Sequence, residues 1–260
     1  IVVATTSPAV RVALGECFGM PAGGDYEGRM VSSLRTLGFD YVLDTTFAAD
    51  LTIAEETAEL LKRLATKKPG DMPMFTSCCP AWVSFAEIFY PEILPNISSA
   101  KSPIMMQGAM IKTYFAKKKG IDPAKIVNVA VAPCTAKKFE ITRPEMNAAG
   151  RELGDEAIRD MDYVITTREL GRMINENRMQ FGDQPEGKFD SIMGDGSGAA
   201  MIFGNSGGVT EAALRTAWHS ITGKNPPAAL LDYRPVRGLD GVREASVDIE
   251  GRKVNIAVVY

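Results

Sequence analysis

The sequence predicts an α/β fold of two lobes, with mostly parallel sheets flanked by helices and antiparallel strands near the C terminus. Three observations carry this. Strand-like and helix-like stretches alternate over most of the 260 residues, the pattern of parallel strands joined by helical crossovers. KIVNVAVAPC is the most apolar strand-like run before the tail. The tail itself (RPVRGL, VREASVDIE, KVNIAVVY) reads as antiparallel strands.

In chain order, IVVA is a strand and PAVRVALGECF a helix. GRMVSSLRTLG is helical again, followed by the strand DYVLDT. TIAEETAELLKRLAT repeats its apolar residues at helical spacing, so it is an amphipathic helix. MPMFTSC is a short strand running into a pair of cysteines. PAWVSFAEIFY is a helix opened by Pro80, a favoured first-turn residue. IMMQGAMIKTYFAKKKG is a helix ended by Gly120. KIVNVAVAPC is a strand ending at Cys134, and DYVITTRELGRMI is a strand followed by a helix. A turn at Glu250–Gly251 joins the last two strands. KKKGIDP breaks the pattern and puts a boundary near residues 118–126, giving a first lobe of residues 1–120 and a second of 121–260.

With 45% hydrophobic and 23% charged residues, the chain can bury a large core, or two lobes sharing one. A net charge of -3 gives no electrostatic reason to expect nucleic acid as a partner. No apolar run approaches the length of a membrane span. The opening IVVATTSPAV reads as a strand and a turn, with no signal peptide expected. A cytoplasmic location is expected, with the periplasm left open. Because the chain starts at Ile1 and ends in a strand, it is expected to be a piece of something longer.

The single histidine, His219, lies in a helical stretch and is expected at a surface or helix end. That sets aside Ser–His–Asp and Cys–His catalysis. The four cysteines, Cys17, Cys78, Cys79 and Cys134, form no disulfide scaffold and contain no CxxC for a closed zinc site. Sulfur with almost no histidine points to soft-metal chemistry. Side chains on successive extended residues face opposite ways, so the adjacent Cys78 and Cys79 cannot easily serve the same atom. Both cysteine-bearing strands place their thiols at carboxyl ends, where open α/β sheets hold ligands. Pro80 and Pro133 stiffen the two loops.

FTSCCPAW followed by APCTAKKFE closely resembles the first two signature motifs of the iron-only (FeFe) hydrogenases. SPAVRVALGE, DYVLDTTFAADLTIAEE, SSAKSP, ITRPEM, DYVITTREL, FGNSGGVTEAALRTA and VRGLDGVREA are similar to the hydrogen-activating domain of that family along nearly the whole chain. The resemblance implies an active-site cleft between two lobes. There it places the H-cluster: a 4Fe–4S cubane joined through a cysteine sulfur to a diiron subsite with CO, CN and a bridging azadithiolate. It also implies an oxidoreductase that interconverts H2 with protons and electrons. Its partners would be a ferredoxin-like domain or electron-transfer subunit, ferredoxin- or NAD(P)-linked, and maturation proteins.

On the same resemblance, Cys79 and Cys134 match the first two of the four cubane cysteines. Cys78 matches a residue that ligates nothing but hands protons to and from the bridging amine. Glu56 and Glu59, three apart on one helix face, match proton-path glutamates. Ser98 matches the hydroxyl between them and Arg63 the outer end of the path. Read from the residues alone, the glutamate pair is a solvated helix face. Lys137 matches a lysine that hydrogen-bonds a cyanide, which compensates charge. Pro8, Ser102 and Pro103 match residues lining the cofactor pocket. Phe203, Gly207 and Gly208 match a loop that lets backbone approach the cofactor closely. Met105, Met106 and Met110 sit at helical spacing and read as core; Cys17 has no role to match.

The pattern also departs from the family. Ala132 stands where members carry a methionine touching the subsite. Ala9 replaces a serine, Ile104 a glutamine and Thr210 a second methionine. Groups around a cluster tune its potential, so these changes suggest altered tuning, as in bifurcating or sensory branches. The third motif, source of the last two cubane cysteines, has no match here, and there is no CxxCxxC run for accessory clusters. A truncated domain is therefore expected, incompetent for turnover as these 260 residues alone. Two alternatives accompany this reading. One is a slow hydrogen-sensing homologue, motivated by Ala132 and Ile104. The other is a non-catalytic hydrogenase-like iron–sulfur assembly factor, against which Cys78, Lys137 and the glutamate pair speak.

Overall fold

Beginning with β1 (Val2–Thr6), the chain runs through α1 (Pro8–Ala13), α2 (Glu27–Thr36), β2 (Tyr41–Asp44), α3 (Thr46–Thr66), α4 (Pro80–Phe89), α5 (Pro103–Met110) and α6 (Ala116–Lys119). It continues through β3 (Val127–Ala132), α7 (Ala136–Glu140), α8 (Ala148–Leu153), β4 (Tyr163–Thr166), α9 (Thr167–Glu176), α10 (Gly198–Phe203) and α11 (Gly208–Thr222). The tail forms β5 (Arg234–Pro235), β6 (Val242–Ile249) and β7 (Arg252–Val259). This computed structural model describes every residue except Lys67, Pro69 and Tyr260, and the side chain of Arg252.

Two compact units make up the chain. The first comprises Ile1–Ala48, Cys78–Trp82 and Lys101–Gly196; the second comprises Ala49–Ser77, Val83–Ala100 and Ser197–Tyr260. The division expected at residue 120 runs through the first unit. The physical reason is strand pairing: β3, beyond that boundary, is hydrogen-bonded to β1 at the start of the chain.

The first unit is built on a parallel sheet of order β2-β1-β3-β4. Successive strand residues face opposite sides. Ala4, Val42, Val129 and Val131 pack with Val10 of α1, Met30 and Leu34 of α2, and Leu170 and Ile174 of α9. On the other side Val3 and Leu43 meet Ile111 and Phe115, while Ala130 and Ala132 meet Ile104, Met105 and Met161. A sheet covered on both faces explains the near-continuous apolar strands. The helix read up to Gly120 carries a π-helical turn at Ile111–Phe115 between α5 and α6, and Gly120 caps it at φ 65°. The strand order reverses between β1 and β3. Ligand crevices form at the carboxyl ends of strands where such a reversal occurs, and Pro8 and Cys134 follow those two ends.

The second unit holds the antiparallel sheet β5-β6-β7. The turn between β6 and β7 has Glu250 at φ 49° and Gly251 at φ 81°, the doubly positive geometry of a type I′ hairpin. Val247, Ile249, Val254 and Ile256 are buried with Leu60 of α3 and Leu214 of α11. Seating Leu60 there fixes the rotation of α3, and with it the side that carries Glu56, Glu59 and Arg63.

Two strand readings need correction. MPMFTSC is not a strand; Phe75 alone makes an isolated parallel bridge to Ile97. Its N–H donates to the Asn96 carbonyl at 2.8 Å and its carbonyl accepts from the Ser98 N–H at 2.7 Å. Pro73 brings no N–H to extend a ladder. In RPVRGL only Arg234–Pro235 pairs, again next to a proline.

Candidate active site

In the first unit, the two adjacent thiols differ in environment. Cys79, just before α4, is exposed, whereas Cys78 is half-buried. Burial pushes the Cys78 thiol above its ordinary value; the Lys137 ammonium opposes this, and Cys79 and Glu140 add to it. The net shift is upward, so the protonated thiol is favoured over the thiolate. Cys134 is half-buried in the loop between β3 and α7. Among the described residues, no three His, Cys, Asp or Glu side chains group as a metal site.

Lys137 lies on α7 and is 8% exposed. Its Nζ donates to the Cys78 carbonyl at 2.7 Å and to Glu140 Oε2 at 2.9 Å. The neighbouring Lys138 pairs instead with Glu169 at an exposed position. Ser102 precedes α5, is 4% exposed and does not cap the helix; its Oγ has no partner. A buried hydroxyl without a partner is costly, and an acceptor on a bound group would relieve it. Pro103 is buried and Pro8 exposed, each opening a helix. Ala132 is 1% exposed, in one core cluster with Ile104. The two residues thus belong to a single buried apolar patch.

In the second unit, α3 and the segment after Asn96 form a hydrogen-bonded network. Glu56 is 2% exposed and its Oε2 has no partner. Burial first, then repulsion by Glu59, raises its carboxyl to about 7, against a hydrogen bond with Ser98 that lowers it. Ser98 Oγ also donates to Glu59 Oε2 at 3.2 Å. Partial burial alone would raise the Glu59 carboxyl, but the Ser99 N–H, the Arg63 guanidinium and the Ser99 hydroxyl outweigh it and hold it below the ordinary value. Those contacts are short: the Ser99 N–H and Oγ each lie 2.9 Å from Oε2, and Arg63 Nη2 lies 2.6 Å from Oε1. A proton-holding carboxyl and an ionised one are therefore bridged by one hydroxyl.

All five N–H groups of Arg63 are engaged. Nε and Nη2 hold Glu59, and the others reach the carbonyls of Asp71, Asn96 and Ile97. Arg63→Ala strands those acceptors and is expected to cost about 2–4 kcal/mol, read from urea unfolding. Arg63→Lys is expected to recover only part of this, because a point-like ammonium cannot span the fork. A loss below about 0.5 kcal/mol for alanine, the range of neutral surface changes, would contradict this account.

Phe203 is half-buried at the end of α10. Gly207 has φ 74°, and a Cβ there would lie 2.6 Å from Val258. On Gly208 a Cβ would clash with the Ile202 carbonyl oxygen. The close approach these glycines allow is thus to the chain itself, at the corner between α10 and α11. His219 is exposed near the end of α11, as expected. Sequence reasoning passed over two residues of these networks. Glu140 was legible from its spacing three residues after Lys137 on one helix. Ser99 was not, since one of its two contacts to Glu59 is through the backbone.

The family model for the iron only hydrogenase large subunit, C-terminal domain, matches residues 1–260, and the chain belongs to this family. It is 48% identical over 258 residues to the periplasmic [Fe] hydrogenase large subunit of Nitratidesulfovibrio vulgaris, covering 99% of this chain and 59% of that one. A variant of the FeFe-hydrogenase HydA1 from Chlamydomonas reinhardtii superposes with a TM-score of 0.81 at 46% identity, over 94% of this chain and 59% of that one. The cytosolic Fe-S cluster assembly factor narfl of Danio rerio is 29% identical over 267 residues, covering 100% of this chain and 63% of its own length. The chain thus spans about three-fifths of the length of these relatives.

Proposed function

We propose that the chain is the hydrogen-activating part of an FeFe hydrogenase, interconverting H2 with protons and electrons at an H-cluster. One observation carries this reading: two neighbouring thiols in different environments, Cys78 half-buried and Cys79 exposed. Cys79 and Cys134 would hold the cubane, with its other ligands outside these residues. The third N–H of Lys137 and the Ser102 hydroxyl would address the diiron subsite and its CO, CN and azadithiolate ligands, beside Pro8 and Pro103, with Ala132 behind them. When bound, the cluster supplies the metal centre at which H2 is cleaved or made.

The protein's own part is proton handling. Cys78 keeps a proton at the cluster end. Glu56, poised near neutrality, can hold or release one at pH 7. Ser98 relays between it and the ionised Glu59, and Arg63 anchors the outer end. Electrons would come through a ferredoxin-like domain or electron-transfer subunit, and maturation proteins would load the cluster. Among the described residues, no helix is long and apolar enough to cross a membrane; the cytoplasm is the proposed location. The higher identity to the hydrogenase than to the assembly factor supports an enzyme over a scaffold.

The full-length, matured protein is expected to show infrared bands of iron-bound carbonyl and cyanide and to take up H2 with a dye acceptor. Absence of both rejects the proposal. The apolar patch of Ala132 and Ile104 favours a second reading, a hydrogen sensor. Turnover far below that of a standard hydrogenase measured alongside would select it.

A further inference from the structure

We propose that Glu140 is a positioning residue of this site, fixing how the three N–H groups of Lys137 are assigned. This rests on the function proposed above. An ammonium has three donors and no acceptor. One meets Glu140 Oε2 at 2.9 Å and another the Cys78 carbonyl at 2.7 Å. A third is left for an anionic ligand.

Both side chains are buried, Lys137 at 8% and Glu140 at 4% exposure. A buried ammonium without a counter-ion is strongly unfavourable, and Glu140 supplies that counter-ion for Lys137. The pair is three residues apart on the short helix α7, and that turn of helix sets its geometry. The bond to the Cys78 carbonyl joins groups 59 residues apart in sequence, holding the peptide from which the Cys78 thiol departs. One carboxylate therefore governs two things: the direction of the free N–H and the backbone behind the proton-carrying thiol. Lys138–Glu169, from the same helix, is the contrast. Its side chains are 43% and 40% exposed, so it is a solvated pair with little to position.

The test compares the full-length matured protein with Glu140→Gln, Glu140→Asp, Lys137→Ala and Glu169→Gln. Glutamine keeps an acceptor but removes the charge. It is expected to shift the cyanide stretching bands and lower kcat roughly ten- to hundredfold, with KM for H2 unchanged. Aspartate is expected to restore part of both, and Glu169→Gln to match the parent. Cyanide bands that stay in place in Glu140→Gln while Lys137→Ala moves them overturn the role of Glu140 and leave the proposed function standing. Absence of carbonyl and cyanide bands in the parent overturns both. Should Glu140→Gln fail to fold, the cyanide bands of Glu140→Asp decide: displaced bands support the role, unmoved bands overturn it.

Discussion

Cys78→Ala is expected to remove nearly all hydrogen turnover while leaving the cubane's spectroscopic signals intact. Burial raises the pKa of the Cys78 thiol, which favours its protonated form over the thiolate that a metal takes. On the proposed reading it carries the relayed proton. Removing a positioned acid–base group costs about 10²–10⁴-fold; removing a cluster ligand would also erase the cluster. Hydrogen uptake with a dye and electron paramagnetic resonance of the cubane, measured on the same sample, separate the two cases. Turnover that persists shows the relay assignment to be wrong, and a lost cubane makes Cys78 a ligand.

Glu56→Gln is the second large effect. Glutamine holds no exchangeable acid proton, so the relay between Glu56, Ser98 and Glu59 is expected to break, with kcat falling about a hundredfold or more. The same change carries a pH signature independent of activity. The folded carboxyl titrates near 7 against an ordinary 4.5, so between those values the native state holds a proton that the unfolded chain has lost. Stability therefore falls as pH rises through that window, by about 3 kcal/mol at 1.36 kcal/mol per pH unit, and is flat above it. Glu56→Gln is expected to lack this fall and so to gain on the parent protein at pH 8 compared with pH 5. Parallel stability–pH curves for the two proteins would show that Glu56 is ionised in the folded state near pH 5, and the relay would lose its proton-holding member.

Much of this was legible in the sequence, for identifiable reasons. Strands β1 and β3 lie in a sheet covered on both faces, so they announce themselves as apolar runs; the helix end at Gly120 and the turn at Glu250–Gly251 follow from backbone rules. MPMFTSC misled because an apolar run says nothing about whether a partner strand exists, and here one residue pair is all that forms. Periodicity could not show that residues 127–132 return to pair with residues 2–6, so a contiguous division was drawn through an interleaved unit. In the proposed site, the motifs singled out the cysteines and the glutamate pair. Their differences did not show, because what separates Glu56 from Glu59 is burial against Ser99 and Arg63, contacts made across the second unit. Nor could spacing reveal that Ala132 and Ile104 belong to one buried cluster.

The central claim is that adjacent sulfurs divide their work, and a crystal structure of the iron-loaded, full-length protein tests it most directly. The account predicts iron–sulfur bonds from Cys79 and Cys134 to one cubane, with the Cys78 sulfur bonded to no metal. A Cys78 sulfur bound to the cubane, or Cys79 and Cys134 too far apart to share it, would contradict the claim outright.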